Sequence, residues 1–147
     1  MNNLKKVILI PYFGTFPNYF QLFLNSCGNN SDFDFKIFTD QLFDKYTYNT
    51  NIKFYNMTFD ELCNLTCMQL GTNIKIFSPY KLCDYKPTYG KIFAEYIKDY
   101  DFWGYCDVDL IFGNISKFIP DIIFKKYEKL QINGHLTFYK NNKKVNN

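Results

Sequence analysis

From Val7 to Ile10 every residue is apolar, which predicts a strand over Lys6–Pro11 covered on both faces. A turn containing Gly14 and Pro17 follows. Phe20, Phe23, Leu24 and Cys27 then recur at helical spacing, and Gly28-Asn29-Asn30 ends that helix. Phe33–Thr39 reads as a second strand and Ile52–Met57 as a third. Thr58-Phe59-Asp60-Glu61 has the form of a capping box, opening a helix that runs to about Leu70 and stops at Gly71. Pro87 predicts the next helix start, with Ile92, Phe93, Tyr96 and Ile97 as its apolar face and Asp99-Tyr100-Asp101 as its end. Phe102–Cys106 is a short central strand. Beyond it come a turn at Gly113-Asn114, a helical piece near Lys117–Tyr127, and a last strand. In that strand Ile132, Leu136 and Phe138 alternate with Gln131, Asn133, His135 and Thr137, so one face is apolar and one polar.

Strands alternating with helices predict an α/β fold, a mostly parallel sheet with helices on both faces. At 147 residues one domain with a real core is expected. Aromatics make up 21% of the chain and Arg is absent, a composition that an AT-rich coding sequence produces by itself. The aromatics therefore add little evidence for a stacking surface. The net charge of +3 is spread rather than striped, which argues against nucleic acid. Lys140, Lys143 and Lys144 read as a solvated end. Cys27, Cys63, Cys67, Cys83 and Cys106 form no C-x-x-C pair and read as reduced thiols of a cytoplasmic protein. Cys63 and Cys67 share a helix face with Leu70 and read as core. The apolar run at Val7 is too short for a signal core, and no stretch approaches a membrane span.

D-x-D occurs three times: Asp32/Asp34, Asp99/Asp101 and Asp107/Asp109. In an open parallel sheet, ligands bind beyond the carboxyl ends of the strands. The first two pairs precede strands and read as turn residues on the opposite edge. Asp107 and Asp109 follow one. In extended chain, carboxylates two residues apart point to one side and can face a single hard cation. Alternatively, Asp107 caps the turn that ends the strand.

A helix that returns across the sheet starts on the same edge. Tyr12-Phe13-Gly14-Thr15, Thr39-Asp40 and Lys86-Pro87-Thr88-Tyr89 are therefore expected around one crevice with Asp107. Glycine at position 14 permits close backbone approach, Asp40 could accept hydrogen bonds from a base or ribose, and Lys86 could meet phosphate. Singly, each is equally a turn glycine, a cap or a surface lysine. His135 falls on the polar face of the last strand and is a candidate acceptor or metal contact.

Tyr100-Asp101-Phe102-Trp103-Gly104-Tyr105-Cys106-Asp107-Val108-Asp109-Leu110-Ile111-Phe112-Gly113 resembles the D-x-D strand of a bacterial glycosyltransferase-like family associated with capsule and lipopolysaccharide gene clusters. Ile10-Pro11-Tyr12-Phe13-Gly14, Tyr80–Gly90 and Gly134–Lys140 fit it too. The resemblance implies a GT-A-like, Rossmann-like fold over residues 1–147. It also implies a UDP-sugar or other nucleoside-diphosphate sugar as donor, a glycan acceptor, and Mn²⁺ or Mg²⁺ held by Asp107 and Asp109. Donor contacts are expected from Tyr12, Phe13, Gly14, Asp40 and Lys86, and from Tyr89, Asp107 and Val108. No transmembrane segment is expected, and peripheral membrane association is compatible with the resemblance. Such enzymes continue past the point where this sequence stops. A missing acceptor part is therefore expected, with an exposed apolar patch near Leu136 and Phe138. A nucleotide- or carbohydrate-binding remnant without turnover is the alternative to an active enzyme.

Overall fold

The computed structural model describes residues 4–132 and 134–147, leaving aside the side chains of Gln131 and Ile132; the polar-face assignment of Gln131 and Asn133 lies outside the described residues. Six strands form one sheet: β1 (Lys6–Pro11), β2 (Asp34–Thr39), β3 (Ile52–Asn56), β4 (Phe102–Cys106), β5 (Lys129–Ile132) and β6 (Leu136–Lys140). Their order is β3-β2-β1-β4-β6-β5. β3, β2, β1 and β4 run parallel, and β6 runs antiparallel to both β4 and β5. The fold is thus α/β with a mixed, mostly parallel sheet.

Alternation along each strand builds two cores. Ile8 and Ile10 of β1 join Phe35 and Ile37 of β2 on one face, beneath Phe20, Phe23 and Leu24 of α1 (Phe20–Gly28). Val7 and Leu9 join Phe38 on the other face. That face carries Leu62 of α2 (Phe59–Leu70) and Tyr89, Ile92 and Ile97 of two short turns, α3 (Tyr89–Ile92) and α4 (Ala94–Ile97). The uninterrupted apolar run of β1 follows from this double coverage. The capping box of α2 is complete: Thr58 Oγ1 accepts from the Glu61 amide at 3.2 Å, and the Glu61 carboxylate accepts from the Thr58 amide at 2.7 Å.

Three local expectations are corrected. Pro87 does not open a helix. It lies inside a 3₁₀ segment, Pro79–Thr88, and the α-helical turn starts at Tyr89. The piece near Lys117–Tyr127 is two helices, α5 (Ile115–Phe118) and α6 (Asp121–Lys126), divided at Pro120, whose ring cannot continue the first. The last strand is a hairpin, β5 and β6, turned at Gly134 with φ +74°, a backbone conformation that glycine adopts freely. His135 therefore sits in that turn rather than on a strand face.

The apolar patch expected near Leu136 and Phe138 is present in part: Ile111 and Phe118 stand exposed beside Leu136. Leu136 is buried and Phe138 fully so, because α5 and α6 fold back over β4 and β6. Phe124 of α6 packs on Phe138 at 5.2 Å between ring centroids, and Phe33 at 5.5 Å. The lysine-rich end is solvated as expected, with Lys140, Lys143 and Lys144 all exposed. Lys144 pairs with Glu128 at 2.8 Å, and Asn146 of the final turn, α7 (Lys143–Asn146), accepts from the Trp103 indole N–H at 2.8 Å. A buried indole needs such a partner.

Candidate functional site

The strand order reverses beside β1. From β1 the chain moves to β2 and then β3 on one side, whereas β4 pairs on the other. Such a switch point leaves a crevice beyond the carboxyl ends of the two diverging strands. The register fixes what faces it: two residues past the Leu9–Tyr105 pair come Pro11 on β1 and Asp107 after β4. A cavity of about 480 Å³ opens there, lined by Tyr12, Phe13, Lys86, Tyr89, Asp107, Val108 and Asp109 among others. That volume suits a small-molecule or cofactor-sized ligand.

Asp107 is the electrostatic centre. Lys86 Nζ donates to its Oδ1 at 2.5 Å, and His135 Nδ1 lies 2.9 Å from its Oδ2. The hairpin turn holds the histidine there through a second tie, the Asp107 amide donating to the His135 carbonyl at 3.2 Å. Lys86 Nζ also lies 5.2 Å from the centre of the Tyr105 ring, an attractive cation–π arrangement. Burial pushes the Asp107 carboxyl up, but the hydrogen bonds and charges of Lys86 and His135 outweigh it and hold the group below the ordinary 3.8. Burial likewise pulls Lys86 down, and Asp107 reverses this to leave it above 10.5.

The pH dependence follows from these directions. A depressed carboxyl contributes stability above its unfolded pKa and loses it as pH falls through the folded value. A raised ammonium contributes below its unfolded pKa and loses it as pH rises through the folded one. The pair therefore contributes across the neutral range and fails at both extremes. In urea unfolding, the stability gap between wild type and Lys86→Met should close as pH drops below 3.8, the ordinary Asp107 value. A gap that persists unchanged into strong acid would show that the pair contributes nothing.

Three expected contacts stand outside the lining: Asp40, Gly14 and His135. The Asp40 carboxylate is exposed and accepts from Gln41 Nε2 at 2.8 Å, and neither Asp40 nor Gly14 reaches the cavity wall. β2 is one strand removed from the switch point, which explains the offset of Asp40. The other D-x-D pairs lie at the opposite end of the strands. Asp34 opens β2 and accepts from the Tyr100 hydroxyl at 2.6 Å, Asp32 accepts from Ser116 Oγ at 2.7 Å, and Asp101 accepts from the Lys5 amide at 2.8 Å.

The spacing argument for Asp107 and Asp109 changes. Val108 and Asp109 lie in a turn rather than in extended chain, so the pair shares a cavity without sharing a strand face. Among the described residues no three His, Cys, Asp or Glu side chains group to hold a metal. The donor chemistry still suits Mn²⁺ or Mg²⁺. Two hard carboxylates face one cavity, and such ions complete their shells with water and substrate phosphate. Both Asp107 oxygens are engaged by Lys86 and His135, so a cation there requires the ammonium to move.

Sequence reasoning missed Tyr19, Tyr80 and Cys83, all of which line the cavity. Tyr80 and Cys83 carry a period of three with Lys86, in a stretch before Pro87 to which the sequence reading assigns no element.

Fold and site together define an α/β domain with a charged, aromatic-lined cavity at its topological switch point. Residues 8–147 match a family described as "Family of unknown function (DUF6625)", and the chain belongs to that family. No curated protein and no solved structure matches the chain. Among the described residues no helix is long and apolar enough to cross a membrane.

Proposed function

We propose that this chain is the donor-binding domain of a cytoplasmic GT-A-type glycosyltransferase. It takes a nucleoside-diphosphate sugar, with UDP as the expected nucleotide, and serves transfer to a glycan acceptor in cell-surface polysaccharide synthesis. One observation carries the reading: Lys86, Asp107 and Asp109 meet Tyr12, Phe13 and Tyr89 in one cavity at the switch point. Rings and charges together match a ligand that is part nucleoside and part phosphate.

The roles follow from chemistry. Lys86 meets the diphosphate as a point charge, and Tyr12 and Phe13 bound the nucleoside side with apolar surface. Asp107 and Asp109 would hold Mn²⁺ or Mg²⁺, which when bound neutralises charge on the departing diphosphate. His135 steadies Asp107 from the turn. A second reading, nucleotide binding without turnover, is favoured by the closed Lys86–Asp107 pair, which leaves no free carboxylate oxygen on Asp107.

Calorimetry with uridine, UDP and inorganic diphosphate tests the assignment. Lys86→Ala should weaken UDP and diphosphate about tenfold, the scale of one charge-assisted hydrogen bond, and leave uridine unchanged. Asp40→Ala, outside the lining, should alter none of them. Parallel losses across all three ligands with Lys86→Ala would remove the phosphate role.

A further inference from the structure

The 3₁₀ segment Pro79–Thr88 has a period of three, so side chains three apart stack in rows along its axis. Exposure along the segment sorts into three rows. Lys81, Asp84 and Pro87 are exposed and face solvent. Leu82 is buried and Tyr85 and Thr88 are half-buried, so from Leu82 on this row faces the protein, although its outer members Pro79 and Leu82 also touch the cavity. Tyr80, Cys83 and Lys86 form the third row, and all three line the cavity. Lys86 sits at the inner end against Asp107. Tyr80 sits at the outer end, 81% exposed although it is a large aromatic. At ~2.0 Å rise per residue, six residues place the ring about 12 Å from the lysine along the segment.

We infer that this row reads the ligand end to end, with Tyr80 stacking on the nucleobase while Lys86 holds the phosphate. The inference rests on the functional reading above and adds the residue that engages the base. An exposed ring on a cavity wall has no packing role in the free protein, and a flat π-face is what a base stacks on. Tyr19, 40% exposed on another wall, supplies a second ring at the same cavity. Cys83, between the two ends, is small enough to let the ribose pass along the wall.

Calorimetry or fluorescence titration of the whole chain with UDP, inorganic diphosphate and a hexose 1-phosphate tests this. Tyr80→Ala should weaken UDP about tenfold, within the range measured for base–aromatic stacking. Tyr80→Phe should restore it, and diphosphate and the hexose phosphate should not change. An equal loss of the hexose phosphate would overturn the base assignment, because Tyr80 would then face the sugar. Undiminished UDP binding in Tyr80→Ala would overturn the inference while leaving the cavity's phosphate role standing. Failure of the wild type to bind UDP at all would defeat the functional reading and this inference with it. Tyr80 is exposed and makes no buried contact, so its removal is not expected to disturb folding.

Discussion

Asp107→Asn is expected to abolish the Mn²⁺-dependent part of UDP binding while strengthening the metal-free part. Both signs follow from one contact. In the folded chain Asp107 engages Lys86 at 2.5 Å and His135 at 2.9 Å. An amide is a poor ligand for a hard cation, and even a residue one step removed from a metal costs about 10–100-fold in affinity. Loss of a direct ligand should cost about a hundredfold or more. The same change deprives Lys86 of its counter-charge and frees the ammonium for phosphate. Lys86 is only 18% exposed, so leaving it without its partner should also lower stability by about 1–2 kcal/mol. Titrations therefore belong well below the melting temperature. Asp109→Asn should reproduce the loss of metal dependence without the gain, since Asp109 does not touch Lys86. Asp32→Asn and Asp99→Asn carry the same D-x-D spacing at the far end of the strands and should behave as wild type. If all four variants lost Mn²⁺ dependence alike, position at the switch point would be irrelevant and the assignment would fall.

Gly104→Ala should be among the most destabilising single-methyl additions in the chain. Gly104 pairs with Phe138 across the β4–β6 ladder. A Cβ built on it would lie 2.5 Å from the Thr137 carbonyl oxygen and 2.6 Å from Phe138 Cδ1. The ring can be displaced at a cost, but the carbonyl is backbone and cannot turn aside without parting the strands. Overpacking of this kind typically costs 1–3 kcal/mol, and a clash with backbone belongs at the top of that range. About 3 kcal/mol would lower the melting temperature by roughly 10 °C in a domain of this size. β4 also carries Asp107 at its end, so whatever UDP affinity the wild type has should drop in parallel. Gly113→Ala is the control: its nearest neighbour would be Phe118 Cε2 at 3.8 Å, an ordinary contact. Equal melting temperatures for the two variants would mean that β6 moves freely away from β4.

Period and capping determine much of this protein without reference to any tertiary contact. The apolar run at Val7–Ile10, the spacing Phe20/Phe23/Leu24/Cys27, the Thr58/Glu61 box and the strand at Phe102–Cys106 are all written in the pattern of neighbouring residues, and each stands in the fold as read. The sorting of three D-x-D pairs was legible too, since whether a residue precedes or follows a strand is written in the chain order. Other features were set by contacts between segments far apart in sequence. β6 pairs antiparallel with β4 because the hairpin at Gly134 reverses the chain after β5, and α5 and α6 cover it, burying Phe138 where a bare strand would have exposed it. The 3₁₀ segment keeps its period of three because Leu82 and Tyr85 face the protein while Lys86 reaches Asp107, 21 residues on. Asp107 itself was found by its place after a strand, but its state was not. A carboxylate's partners in space depend on which loops the sheet order brings alongside it, and here those are Lys86 from the 3₁₀ segment and His135 from the hairpin turn. Local sequence specifies elements through short-range sterics and hydrogen bonds. The charge balance of a crevice is a sum over segments that only the folded sheet brings within a few ångströms of one another.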